Sequence, residues 1–142
     1  MAVKNKIDQD SRVVLVVEDS PTQALNLQES LERVGLLVIC ATNGGTGLQL
    51  ARQIRPALIV LDIQMPDMNG FEVCKLLKES SETNAIPIIM FTRDDSPEAL
   101  QLGLESGAVD FIPKDAFASA VLIETIRQMG LLAKEKTPNL PV

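Results

Sequence analysis

IVLDIQMPDMNG, residues 59–70, opens on an apolar run and stops on Asp62. The following Met65-Pro66-Asp67-Met68-Asn69-Gly70 suits neither strand nor helix, because proline, asparagine and glycine all favour turns there. The segment therefore reads as a buried strand that carries a carboxylate to its own end, just before a loop. A carboxylate so placed either caps a loop or does chemistry, and the rest of the chain decides between the two.

Working outward, similar apolar, β-rich runs occur at 12–17, 37–41, 57–61, 86–91 and 108–112. Helical patterns separate them. Ser20-Pro21 and Ser96-Pro97 are helix starts, with serine as N-cap and proline at the first helical position. Ala24, Leu27, Leu31 and Val34 mark one face of the first helix, and Gly35 suits its stop. Leu48, Ala51 and Ile54 mark the second helix, and Val73, Leu76 and Leu77 the third. The fourth helix ends at Gly107, and Leu122, Ile126 and Met129 mark the fifth, which closes near Gly130. Five strands alternating with five helices predict a doubly wound α/β domain with a parallel sheet covered on both faces. One domain over 12–133 is expected, with tails at 1–11 and 134–142.

Bulk properties narrow the function. A chain of 142 residues that is 46% hydrophobic suits one core, and a net charge of -6 offers no basic face for nucleic acid. The two cysteines, Cys40 and Cys74, form no disulfide framework, and no apolar run is long enough for a membrane span or signal core. A cytoplasmic protein that binds neither nucleic acid nor membrane is expected. Histidine is absent, which removes the commonest general base and metal ligand. Chemistry must run on carboxylates, hydroxyls and lysines.

In a doubly wound sheet, ligands bind beyond the carboxyl ends of the strands. Glu18 and Asp19 follow the first run, Asp62 the third, Thr92 the fourth and Lys114 the fifth, so all five face one rim. Each has an ordinary reading on its own: loop cap, strand-favouring residue, solvated surface. Together they are specific. Carboxylates on strand ends about 5 Å apart repel unless a cation sits among them. Oxygen-only ligation suits Mg2+, and a hydroxyl and an ammonium opposite suit phosphoryl oxygens.

VVEDSP (16–21), IVLDIQMPDMNG (59–70), MFT (90–92) and DFIPK (110–114) resemble, in order and spacing, the motifs of response-regulator receiver domains over residues 12 to about 133. The resemblance implies a flavodoxin-like fold with strand order 2-1-3-4-5. It implies that Asp62 accepts a phosphoryl group from a sensor histidine kinase or phosphotransfer protein. Asp19, Asp62 and the backbone carbonyl of Gln64 would bind Mg2+, with Glu18 acting mainly through a metal-bound water. Thr92 and Lys114 would hold the phosphoryl oxygens, and Phe111 would be the switch aromatic that turns inward as Thr92 moves. A downstream protein would dock on the face made by the fourth helix, fifth strand and fifth helix.

The chain departs from the family pattern in three places. The order Pro113-Lys114-Asp115 puts proline before the lysine, where most receivers have it after, and frees Asp115 to cap the last helix. Arg93 replaces a usually small residue, and the switch position is Phe111, without a hydroxyl. Gln64, Arg93 and Asp94 are candidates for setting the dephosphorylation rate. The glycines of ATNGGTG, 41–47, lack the lysine and spacing of a phosphate loop and read as the turn into the second helix.

After Leu132 only ten residues remain, so a stand-alone switch that signals by binding a partner is expected. Two alternatives stand beside it. One is an inactive receiver-like binding module. The other is a small Asp-nucleophile phosphatase of the haloacid-dehalogenase type, which Gln64 disfavours because those enzymes place an acid/base Asp there.

Overall fold

The structure, a computed structural model, describes residues 13–132. The expected tails, and Arg12 of the first run, lie outside the described residues. Five strands, β1 (Val13–Val17), β2 (Leu37–Ala41), β3 (Leu58–Leu61), β4 (Ile88–Thr92) and β5 (Asp110–Pro113), alternate with five helices. The helices are α1 (Pro21–Arg33), α2 (Gly44–Ile54), α3 (Gly70–Glu79), α4 (Pro97–Glu105) and α5 (Ala118–Gln128). The strands form one parallel sheet in the order β2-β1-β3-β4-β5.

Alternation along the inner strands divides the core. Leu15, Val17, Ile59, Leu61, Ile88 and Met90 point to one side, where Leu48 and Ala51 of α2, Val73, Cys74 and Leu77 of α3 and Ala99 of α4 cover them. Val14, Val16, Leu58, Val60, Ile89 and Phe91 point to the other, under Leu27 and Leu31 of α1 and Leu122 and Ile126 of α5. Leu76, expected on the buried stripe of α3, is exposed, and Cys74 takes the inward position. Cys40 and Cys74 are both free thiols, on opposite faces of the sheet. Burial pushes both thiols above their ordinary pKa.

Several strand limits differ from expectation for local reasons. Pro87 has no N–H and Ile86 donates to Thr83 O, so the β4 ladder begins at Ile88, not at 86. Ala108 N donates back to Gly103 O to close α4, which delays β5 to Asp110. At the other end Thr92 and Pro113 pair in register as the last residues of their strands. Proline is tolerated there because β5 is an edge strand.

The helix starts follow the sequence signals. Ser20, Asn43, Asn69 and Ser96 are N-caps whose side chains accept from the third residue beyond. Asp115, expected to cap α5, does not: the N-cap position is Phe117, and Asp115 instead accepts from Phe117 N at 2.8 Å in a turn one step earlier. At α3 the cap is reciprocal, with Glu72 N donating to Asn69 Oδ1 at 3.0 Å and Asn69 N donating to Glu72 Oε1 at 3.2 Å. Asn69→Ala is expected to lower stability by about 1–2 kcal/mol, read as a lower urea midpoint at unchanged slope. A shift below a few tenths of a kcal/mol would mean that the loop does not rely on this cap.

ATNGGTG is not all turn. Asn43 is the cap, and Gly44 to Gly47 form the first turn of α2. A Cβ at Gly47 would come within 2.9 Å of Val17 Cγ2, and one at Gly44 within 2.9 Å of Val73 Cγ2, so these glycines let α2 lie close to β1 and α3.

Candidate functional site

Ladder hydrogen bonds continue past the strand ends and hold the rim in place. Glu18 N donates to Ala41 O at 2.9 Å, Asp62 N to Val17 O at 3.1 Å, and Lys114 N to Thr92 O at 2.7 Å. The side chains of Glu18, Asp19 and Asp62 consequently converge, with one oxygen from each lying within 4.8 Å of the others. Glu18 and Asp62 are buried, whereas Asp19 is exposed and its carboxylate makes no hydrogen bond or ion pair among the described residues.

Lys114 closes the cluster. Its ammonium donates to Glu18 Oε1, to Asp62 Oδ2 at 3.1 Å and to Gln23 Oε1 at 2.6 Å, and it lies 5.8 Å from the centre of the Phe91 ring. Charges this deep, with the lysine side chain 13% exposed and that of Glu18 5%, are tolerated only when paired and hydrogen-bonded. Burial still pushes the Glu18 carboxyl above its ordinary pKa, against the opposing pull of Lys114 and of the Ser20 N–H, which donates to Glu18 Oε2 at 3.0 Å. The ammonium thus pairs with two of the three convergent carboxylates and leaves Asp19 unpaired among the described residues. The donor set, all oxygen and net anionic, fits a hard divalent ion such as Mg2+.

The acidic residues open into a cleft of about 220 Å3 lined by Glu18, Asp19, Ser20, Gln23, Asp62, Gln64 and Arg93. Gln64 and Arg93 thus stand beside Asp62. Asp94 does not line this cleft: its N–H donates to Thr92 Oγ1 at 3.3 Å and its carboxylate accepts from Ser96 N at 3.1 Å. Thr92 is fully buried at the end of β4, joined to Lys114 through the backbone. Phe111 sits half-buried against α4, where a Cβ on Gly103 would approach its Cδ2 to 3.0 Å.

Two residues of this region carry no mark in the sequence reading. Gln23 is one, a neutral amide in the first turn of α1 that reaches the lysine. Asp67 has the other unforeseen role, its two oxygens accepting from Gly44 N and Gly45 N at 2.9 Å each. Those N–H groups hold its carboxyl below the usual range and pin the loop after Asp62 to the N-terminus of α2. The glycine pair does bind an anion, but the anion is a side chain of this chain. A polar residue in the turn opposite a capped helix start was the only available signal.

A parallel sheet in this order, with an acidic cluster and a lysine at the carboxyl ends of β1, β3 and β5, is the arrangement that the resemblance to receiver domains implies. The chain belongs to the response regulator receiver domain family, whose model matches residues 14–127. It is 42% identical over 101 residues to protein PilH of Pseudomonas aeruginosa, covering 71% of this chain and 84% of PilH. It is 41% identical over 101 residues to the transcriptional regulatory protein AfsQ1 of Streptomyces coelicolor, with the same 71% of this chain but only 44% of that protein. Among solved structures, the chemotaxis protein CheY4 of Vibrio cholerae is similar with a TM-score of 0.77 at 32% identity, covering 83% of this chain and 98% of CheY4. A receiver domain from a signal transduction histidine kinase of Syntrophus aciditrophicus is as similar, with a TM-score of 0.77 at 32% identity over 93% of this chain and 100% of that one. Relatives of this family thus sit in several molecular contexts. No helix among the described residues is long and apolar enough to cross a membrane.

Proposed function

We propose that this chain is a phosphoacceptor switch of a two-component system, with Asp62 as the acceptor. The observation that carries the reading is the placement of Asp62: buried at the end of β3, within 4.8 Å of two further carboxylates and hydrogen-bonded to Lys114. An oxygen of Asp62 attacks the phosphorus of a phosphohistidine on a sensor kinase or phosphotransfer protein. The P–O bond forms as the P–N bond breaks, and its electron pair leaves with the imidazole.

Asp19, Asp62 and the backbone carbonyl of Gln64 would hold Mg2+, with Glu18 acting through water. The ion would neutralise charge on the phosphoryl oxygens. Lys114 and Thr92, neighbours through the hydrogen bond from Lys114 N to Thr92 O, then hold the product oxygens. Phe111, resting on α4 beside Gly103, responds to a displacement of Thr92. Gln64 and Arg93 line the cleft and order or exclude the water that later hydrolyses the acyl phosphate, and Asp94 acts through its bond to the Thr92 hydroxyl. A downstream protein would dock on the face of α4, β5 and α5, where Leu100 and Leu104 of α4, Val121 of α5 and Phe117 just before α5 expose between 42% and 72% of their surface.

Intact mass after incubation with acetyl phosphate tests this. A single phosphoryl adduct that appears with Mg2+ and is absent in EDTA is the expected result. Release of many phosphates per chain without an adduct would point to a phosphatase. No adduct under either condition would leave a binding module.

A further inference from the structure

The three protons of the Lys114 ammonium meet three acceptors: Glu18 Oε1, Asp62 Oδ2 at 3.1 Å and Gln23 Oε1 at 2.6 Å. These acceptors are not equivalent. Two are carboxylates of the acidic cluster, the groups a divalent cation would claim. The third is a neutral amide, a weak competitor for such an ion, on a different element of the fold. A lysine head released by both carboxylates has a flexible four-carbon stem and many rotamers open to it. Its Cα is anchored by the bond from Lys114 N to Thr92 O at 2.7 Å, and the Phe91 ring lies near the head at 5.8 Å. Between those two points, Gln23 supplies the one acceptor that a cation leaves free.

Gln23 is well built for this task. Its backbone N–H donates to the Ser20 Oγ cap at 3.4 Å, and Pro21 sets the backbone angle at the start of the same turn. The amide therefore projects from a stiff base, not from a loop. Gln23 also lines both the acidic cleft and a neighbouring cleft between α1 and α5, so it stands where the two meet.

We infer that Gln23 is the positioning residue for Lys114: it keeps the ammonium at the rim when Glu18 and Asp62 turn to a cation, ready to meet a phosphoryl group on Asp62. The second half of that statement rests on the phosphoacceptor reading above. The first half concerns only the lysine and can be measured without phosphoryl transfer.

The experiment compares the wild-type chain with Gln23→Leu, which removes the acceptor. Each is treated with limiting N-acetoxysuccinimide in EDTA and again with excess Mg2+, and acetylation of Lys114 is read by peptide mass. Thermal midpoints are measured alongside, and are expected to agree because Gln23 is at the rim and not in the core. Phosphorylation rates with acetyl phosphate are measured on the same samples. In wild type, Lys114 is expected to react slowly in both conditions. In Gln23→Leu it is expected to react about tenfold faster once Mg2+ is added, the scale of one charge-assisted hydrogen bond, with a similar fall in phosphorylation rate. Equal reactivity of Lys114 in wild type and Gln23→Leu under Mg2+ would overturn the inference. If the acetylation pattern holds while wild type takes up no phosphoryl group, the positioning of Lys114 stands and the phosphoacceptor reading falls.

Discussion

Asp62→Asn is expected to show no phosphoryl adduct under conditions that label the wild-type chain to completion, a loss of rate on the order of a thousandfold or more. The amide is nearly the same shape as the carboxylate but has no anionic oxygen to attack phosphorus. The fold has little reason to suffer. The introduced amide would still offer a carbonyl oxygen to Lys114, and Lys114 would keep Glu18 and Gln23. Removing one of three carboxylates within 4.8 Å of one another also relieves like-charge repulsion. Stability is therefore expected to stay within about 1 kcal/mol of wild type or to rise, so the lost adduct reports chemistry and not unfolding. The pair of measurements is intact mass with acetyl phosphate and Mg2+, and urea denaturation. An adduct that persists in Asp62→Asn would move the acceptor to another residue and remove the central claim.

Gly70→Ala, which adds a single methyl where the loop after β3 enters α3, is expected to lower stability strongly. A Cβ at this first residue of α3 would overlap the carbonyl oxygen of Asp62 and stand 2.8 Å from Ile63 Cα. Both obstacles are backbone, so no side chain can swing aside. The chain cannot simply back away either, because Gly70 N donates to Ile63 O at 2.7 Å and the Asn69–Glu72 cap fixes the helix start. Overpacking of this kind costs about 3 kcal/mol, the upper part of the usual range. A urea midpoint lowered by that amount is the expected reading. The same strain falls on the backbone of the proposed acceptor, so phosphoryl uptake should slow even at temperatures where the variant is folded. A variant as stable and as reactive as wild type would show that α3 shifts freely relative to β3, against the packing seen here.

Asp62 and Gly70 both belong to the segment 59–70, which also shows how far sequence alone reached. The apolar run, the acid at its end and the turn chemistry beyond it are local properties, and the strand, the loop and the capped helix follow from them. The same holds for Ser20-Pro21 and Ser96-Pro97, where the cap and the fixed proline angle are neighbours in the chain. The convergence of Glu18, Asp19, Asp62 and Lys114 on one rim was legible because parallel strands put their carboxyl ends at one edge, whatever their order.

Other features were decided only when distant segments met. The ends of β4 and β5 depended on the Thr92–Pro113 pairing and on Ala108 being used by α4. The glycines of α2 acquired a reason once Val17 and Val73 were packed against them, and Asp67 acquired a partner once Gly44 and Gly45 lay across the loop. Asp115 lost its expected cap to the geometry of the turn. Gln23 is the sharpest case, since it meets Lys114 across 91 positions of chain. Caps, turns and hydrophobic periods are written in neighbouring residues, because short-range sterics and hydrogen bonds enforce them. Which amide meets which ammonium depends on how the helices seat on the sheet, and that is settled by packing of the whole core.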